Sequence, residues 1–191
     1  AVIRNQFLLD CVLRHAGVPH SQQMTTATAF VTDGQISKVS SVLKSIARDW
    51  SDDDTERNMT YRPLIEQLKR FIPPPDDTNR GPKPRICVPG AGVSRLAFDL
   101  AGLGYCVQGN EFSLHMLLAS DFILNGGVLN VDHPLSISPW LLESRNVHGP
   151  NDPCREVHVP DIDPYSILSG ENGGEESIEF SMAAGEFLSI Y

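Results

Sequence analysis

The chain has 191 residues, of which 41% are hydrophobic and 20% are charged, and its formal net charge at pH 7 is −9. This length predicts one domain, or one domain with an extension, and the hydrophobic share is enough for a packed core. An acidic surface repels phosphate groups, so we expect neither nucleic acid nor an anionic membrane as a partner. No stretch reaches the roughly 20 apolar residues of a membrane-spanning helix. The four scattered cysteines favour a reducing, intracellular compartment over a disulfide framework.

Helical patterns dominate the first 72 residues. Residues 1–16 place apolar side chains on one face of a helix, and the polar residues 18–34 are predicted to form a loop. From residue 35 to residue 50 apolar side chains recur at steps of three and four, which is the clearest helical pattern in the chain. The run Ser-Asp-Asp-Asp at 51–54 is typical of the start of a third helix.

A proline-rich segment then divides the sequence. Residues 73–84 contain five prolines and one glycine, a composition that is incompatible with a helix or a central strand. We therefore predict a helical N-terminal region at 1–72, a linker at 73–84, and a cofactor-binding unit at 85–191.

Strands and helices alternate after this linker. Short connections between them are the signature of βαβ units and of a parallel sheet. Residues 128–156 lack such a pattern and are predicted to form a loop. The predicted strands are 85–88, 105–108 and 178–182, with a short extended piece at 157–159, and the predicted helices are 94–103 and 112–124.

A glycine turn follows the first predicted strand, and an acidic residue follows the second. Because Gly90 and Gly92 lack Cβ atoms, the backbone there can approach a ligand closely. The helix that follows the turn presents unpaired N–H groups at its start. Glu111 lies 21 residues after Gly90, close to the spacing of about 20 residues at which an acid binds ribose hydroxyls. These features predict a site for a nucleoside-containing cofactor.

The glycine pattern also discriminates between cofactors. A dinucleotide fingerprint requires a third glycine beneath the pyrophosphate, and this sequence has Arg95 at that position. A sulfonium cofactor has no pyrophosphate, so S-adenosylmethionine fits this turn better than NAD does. An NAD-type oxidoreductase remains the alternative at this point, and we expect Arg95 to be structural, binding loop carbonyls or an acid.

Six blocks of the sequence carry distinctive motifs: 47–51, 86–97, 103–113, 121–125, 160–164 and 181–187. Together they resemble the carnosine N-methyltransferase family. Their order and approximate spacing agree with that family from about residue 36 to residue 191. The combination Val-Pro-Gly-Ala-Gly followed by Gln-Gly-Asn-Glu is much more specific than a generic methyltransferase loop.

The resemblance implies an α/β fold: a Rossmann-like class I methyltransferase sheet with an added helical N-terminal region. This chain would supply the first half of that sheet, the strands three, two and one of the order 3-2-1-4-5-7-6. The resemblance also implies transfer of a methyl group from S-adenosylmethionine to the imidazole of histidine in carnosine or related peptides. A small peptide is then the expected partner, and assembly into a homodimer is a further possibility. We expect the protein to be cytoplasmic or nuclear.

The resemblance further implies which residues hold the cofactor. An arginine of the N-terminal helical region matches Arg48, although the residues alone favour a salt bridge with the neighbouring Asp49. The family's glutamine three residues earlier is replaced by Ser45. An Asp-Phe pair that lies beside the adenine in the family is Glu186-Phe187 here, with a side chain one methylene longer. The implied cofactor-binding residues are Arg48, Gly90, Gly92, Glu111, Glu186 and Phe187.

No catalytic residue is assigned to this chain. The family's substrate-binding acid, histidine and tyrosines correspond to sequence beyond Tyr191. A sheet of these three strands alone would leave its first strand as an open apolar edge. We therefore expect a longer polypeptide or a second chain to complete it, and a non-catalytic protein that binds a partner chain is a further hypothesis.

Other polar residues have simpler interpretations. The spacing of His148, Cys154 and His158 does not match a zinc site, so no metal is predicted. His115 falls in an apolar helix and is interpreted as a core histidine. Asp161 belongs to a turn flanked by prolines, although acid–base chemistry is an alternative interpretation.

Overall fold

The computed structural model describes the chain in six segments. Three helices come first, and the second of them, α2 (Asp33–Trp50), begins with a capping box. The Thr32 backbone N–H donates to Gln35 Oε1 at 2.8 Å, and the Gln35 N–H donates to the Thr32 hydroxyl at 3.3 Å. Unpaired N–H groups at the helix start are satisfied in this way. The described segments are 1–18, 32–75, 81–125, 134–143, 149–169 and 178–191.

Helices and strands alternate after the three N-terminal helices. The helices are α1 (Val2–His15), α2 (Asp33–Trp50), α3 (Thr55–Phe71), α4 (Arg95–Gly102), α5 (Leu114–Asn125), α6 (Pro164–Ser169) and α7 (Phe187–Ile190). The strands are β1 (Arg85–Pro89), β2 (Cys106–Glu111), β3 (Leu135–Ile137), β4 (Val157–Val159) and β5 (Phe180–Ala184). A 3₁₀ turn spans Asp152–Cys154.

The main sheet is parallel throughout, with strand order β1-β2-β5. Val88 lies beside Gly109, and Gly109 lies beside Met182. The predicted βαβ arrangement is confirmed, since α4 connects β1 to the neighbouring parallel strand β2. The last strand of this sheet lies two residues further along the chain than the predicted 178–182.

A second, two-stranded sheet corrects the predicted loop at 128–156. Strand β3 lies within that range and pairs antiparallel with β4, with Leu135 opposite Val159. Three residues are too few to reveal an alternating pattern in the sequence. Their extended conformation is set by pairing with β4, and the predicted extended piece at 157–159 is confirmed.

The helical N-terminal region shares a core with the sheet region. Residues of α1 and α2, including Leu8 and Ile46, pack with Phe122 of α5 and with Phe98 of α4. A second cluster, around Tyr105, lies between α4 and the main sheet. This packing brings the end of α2 against the start of α4. Within the described residues, no helix combines the length and apolar character that crossing a membrane requires.

The prediction that His115 is a core residue is wrong. His115 is exposed at the start of α5, and the buried residues of that helix begin at Ala119. Eight of the twelve residues of α5 are apolar and they are spread around the helix, so the sequence gives no indication of which face meets the core. Of the potential metal ligands named above, His148 lies outside the described residues. Inside them, no three His, Cys, Asp or Glu residues are grouped to hold a metal ion.

Candidate functional site

The carboxyl ends of the three parallel strands lie at one edge of the main sheet. The glycine turn follows β1, Glu111 ends β2, and Gly185 follows β5. Parallel α/β sheets bind their ligands at this edge. The structure therefore brings together five of the six predicted cofactor residues, which are Gly90, Gly92, Glu111, Glu186 and Phe187.

The backbone of the glycine turn adopts left-handed φ angles, which favour glycine. The φ angles are +65° at Gly90 and +57° at Gly92, in the left-handed region, and Ser94 follows with a φ of +68°. A Cβ atom built on either glycine would meet no described atom within 4 Å. The backbone of the turn thus borders open space, while its conformation keeps side chains out of that space.

Glu111 joins the turn to the end of β2. Its Oε2 accepts a hydrogen bond from the Gly92 N–H at 2.8 Å, and its Oε1 accepts one from the Ser113 N–H at 2.7 Å. Each carboxylate oxygen can accept more than one hydrogen bond. Both oxygens of this half-buried carboxylate therefore retain the capacity to accept from the two hydroxyls of a ribose.

Two residues that precede Glu111 shape the same edge, and sequence reasoning missed both. The buried Asn110 donates through Nδ2 to the carbonyls of Ala183 and Gly185, each at 3.1 Å. A Cβ on Gly109 would lie 2.4 Å from Met182 Sδ and 3.1 Å from Ala91 Cβ, so any larger residue there would displace the Met182 side chain. The sequence did contain a signal for Asn110: a polar residue inside a predicted buried strand must find hydrogen-bond partners, which indicates a structural role.

Glu186 and Phe187 lie where β5 gives way to α7. Glu186 is exposed, and its Oε2 accepts a hydrogen bond from the Ser189 hydroxyl at 3.1 Å. The Phe187 ring is 38% exposed and packs on the Tyr191 ring, with 5.0 Å between their centroids. An apolar ring at this edge is a suitable surface for a planar base.

Arg48, the sixth predicted residue, lies in the last turn of α2 and has other partners. Its guanidinium donates to both carboxylate oxygens of Asp49, at 2.7 Å each, and to the Tyr61 hydroxyl at 3.2 Å. The hydrogen bond with Asp49 raises the pKa of Arg48 above its ordinary value. Arg48 also lines a cavity of about 900 Å³ beside α2 and α3, together with Ser45. The glycine turn and Glu111 are not among the residues lining that cavity.

The half-buried Tyr61 hydroxyl gives this side of α2 a pH dependence. Burial, and then the Asp49 carboxylate, raise the pKa of Tyr61 from 10.0 to about 12. The folded chain thus holds this proton more tightly than the unfolded chain, so the associated stability is present below pH 10 and is lost as the pH rises to 12. We expect urea unfolding midpoints to fall more steeply over this range in the wild type than in Tyr61→Phe. Parallel slopes for the two proteins would contradict the assignment.

Arg95 has the structural role that the sequence suggests. Its guanidinium donates to the Asp49 carbonyl at 2.9 Å and to carboxylate oxygens of Asp99 and Asp161 at 2.8 and 2.6 Å. It also lies over the Trp50 ring, 4.8 Å from its centroid. The interpretation of Arg95 as a residue that binds carbonyls and acids is confirmed.

Comparison with known proteins identifies the family. The family model described as Carnosine N-methyltransferase matches residues 25–191. A carnosine N-methyltransferase of Schizosaccharomyces pombe is 44% identical over 155 residues, which cover 81% of this chain and 39% of that protein. The carnosine N-methyltransferase of Rattus norvegicus is 40% identical over 184 residues, which cover 95% of this chain and 43% of that protein. The chain thus spans less than half the length of these curated relatives, and it belongs to the carnosine N-methyltransferase family.

Proposed function

We propose that this chain forms the cofactor-binding half of an S-adenosylmethionine-dependent N-methyltransferase, built on a Rossmann-like class I sheet. The acceptor would be the imidazole of histidine in carnosine or a related peptide, as the names of the relatives suggest. The observation that carries the proposal is the contact between Glu111 and the Gly92 N–H at the carboxyl edge of a parallel sheet. The strand order β1-β2-β5 supports it further.

The residues at this edge fit the cofactor. The open space beside Gly90 and Gly92 admits a ligand against the backbone, and Glu111 has acceptor capacity for the ribose hydroxyls. Phe187 supplies an apolar surface for the adenine, and Glu186 beside it can accept hydrogen bonds from the base. Arg48 would approach from α2, which requires its side chain to leave Asp49. When bound, S-adenosylmethionine supplies a methyl group on a sulfonium, which a neutral nitrogen can attack.

The chemistry demands mainly positioning from the protein. An imidazole has an ordinary pKa near 6.5, so the acceptor nitrogen is largely neutral and nucleophilic at cellular pH. The residues of this chain would hold the cofactor in one orientation, and alignment of the two reactants lowers the barrier. The four cysteines are free thiols, which is compatible with the proposed cytoplasmic or nuclear location.

Two other functions make different predictions about binding. The family match does not favour the NAD-type oxidoreductase, and Arg95 stands where a dinucleotide site needs glycine. A non-catalytic member of the family would retain the fold without binding a cofactor. Affinity for S-adenosylhomocysteine therefore separates the proposed function from both alternatives.

A calorimetric titration of the 191-residue chain with S-adenosylhomocysteine tests the proposal. We expect saturable binding with one site per chain, and no saturable binding of NAD. The Rattus norvegicus relative serves as the positive control. A folded chain that does not bind S-adenosylhomocysteine, under conditions in which the relative does, would contradict the proposal that this half holds the cofactor.

A further inference from the structure

Asp161, in the loop that follows β4, forms ion pairs with two arginines. Its Oδ1 lies 2.6 Å from an Arg95 nitrogen, and its Oδ2 lies 3.0 Å from an Arg57 nitrogen. The side chain is only 13% exposed, and those of both arginines are exposed by less than 10%. The Asp161 backbone N–H also donates to the Trp50 carbonyl at 2.9 Å. Through its carboxylate and its backbone N–H, Asp161 thus connects the first turns of α3 and α4 with the end of α2.

Both arginines turn toward the same end of α2. Arg57 and Arg95 each donate to the Asp49 carbonyl, at 3.0 and 2.9 Å. Carbonyls in the last turn of a helix lack partners within the helix, and cations stabilise that end. Two guanidinium groups that share one carbonyl repel each other, and Asp161 supplies a negative charge beside both. We call Asp161, Arg57, Arg95 and the Asp49 carbonyl the Asp161 cluster.

The Asp161 cluster lies between two parts of the proposed cofactor site. Arg95 is the first residue of α4 and follows Gly92 by three positions, so its placement fixes the end of the glycine turn. On the other side, Asp49 is the neighbour of Arg48. The Trp50 indole N–H donates to the Val93 carbonyl at 2.9 Å, directly after the turn. The cluster therefore sets the position of α2 relative to the glycine turn.

We propose that Asp161 is a positioning residue for cofactor binding, which acts by holding Arg95 and Arg57 against the end of α2. This inference rests on the proposed function. The acid–base alternative for Asp161 does not fit its surroundings, because its two oxygens face two arginines in a largely buried position.

The chain offers a matched control two residues away. Asp163 accepts hydrogen bonds from the Ser166 N–H at 3.1 Å and from the Ser166 hydroxyl at 2.8 Å, in the first turn of α6. These contacts are local to α6, whereas those of Asp161 connect three helices. Asp163→Asn therefore makes the same chemical change in the same loop without touching the cluster.

The test compares Asp161→Asn with Asp163→Asn, both in a Trp140→Phe background that leaves Trp50 as the single tryptophan. Asparagine keeps the size of the side chain but removes the carboxylate that pairs with Arg57 and one of the two carboxylates that pair with Arg95, the other being that of Asp99. We expect Asp161→Asn to bind S-adenosylhomocysteine about tenfold more weakly and to shift the emission of Trp50. Asp163→Asn is expected to change neither. A role in stability alone would lower the unfolding midpoint without moving the affinity of the folded protein.

Asp161→Glu keeps the test decisive if Asp161→Asn does not fold. Glutamate preserves the charge and hence folding, but its longer side chain displaces α4 from α2, so weaker binding is again expected. If a folded variant of Asp161 bound S-adenosylhomocysteine as tightly as the Trp140→Phe parent does, the inference would be overturned. If the parent protein itself does not bind S-adenosylhomocysteine, the proposed function fails, and the Trp50 emission still reports whether Asp161 sets the position of α2.

Discussion

Replacing Glu111 by glutamine is expected to weaken binding of S-adenosylhomocysteine to this chain by about a hundredfold, because one charge-assisted hydrogen bond to the ribose is lost and the other becomes neutral, together worth about 3 kcal/mol. The carboxylate accepts from the Gly92 and Ser113 N–H groups and has further capacity for a ribose diol. Glutamine replaces one oxygen by an NH₂ group. That group would face a backbone donor and could not accept from a ribose hydroxyl. Isothermal titration of the folded variant measures the loss.

Glu66→Gln is the control for this experiment. Glu66 is exposed on α3 and pairs with Arg62 at 2.8 Å, with both side chains more than half exposed. Exposed pairs of this kind contribute about 0–1 kcal/mol, so the same change there is expected to leave the affinity unaltered. If Glu111→Gln bound S-adenosylhomocysteine as tightly as Glu66→Gln does, the ribose role of Glu111 would be wrong.

The candidate site was largely predictable because its main features are local in sequence. Strand, glycine turn, helix and strand follow one another within about 30 residues, as in any βαβ unit. Parallel pairing then brings Gly90 and Glu111 to the same edge without any long-range information. The structure adds the direct hydrogen bond between Glu111 and Gly92, which the spacing alone did not predict.

The contacts that could not be predicted join residues distant in the chain. Asn110 binds carbonyls that lie 73 and 75 positions further along, and Arg95 binds Asp161 across 66 positions. Neither pairing leaves a periodic signal, since any surface arginine and aspartate would look the same in the sequence. The contact of Arg48 with Tyr61 shows the same limit, because Tyr61 belongs to the next helix, whereas the other partner of Arg48, Asp49, is its neighbour in the sequence.

Trp50 is the residue on which the packing of α2 against α4 depends most. Its side chain is fully buried, its ring centroid lies 5.4 Å from that of Phe98, and its indole N–H donates to the Val93 carbonyl. We expect Trp50→Ala to lower the free energy of unfolding by about 3–5 kcal/mol. Domains have total stabilities of about 5–15 kcal/mol, so this variant would be close to unfolding. Urea denaturation followed by far-ultraviolet circular dichroism measures the change.

Replacement of the second tryptophan, Trp140, is the control for this experiment. Trp140 is half-buried, and its main described contact is the Arg155 guanidinium, 4.0 Å from the ring centroid. Cation–π contacts at exposed sites contribute about 0.5–1 kcal/mol, so Trp140→Ala is expected to cost far less than Trp50→Ala. Trp50→Phe should fall between them, because it keeps an aromatic ring but leaves the Val93 carbonyl without its donor. Equal losses at the two tryptophans would mean that α2 is not held to the glycine turn through Trp50.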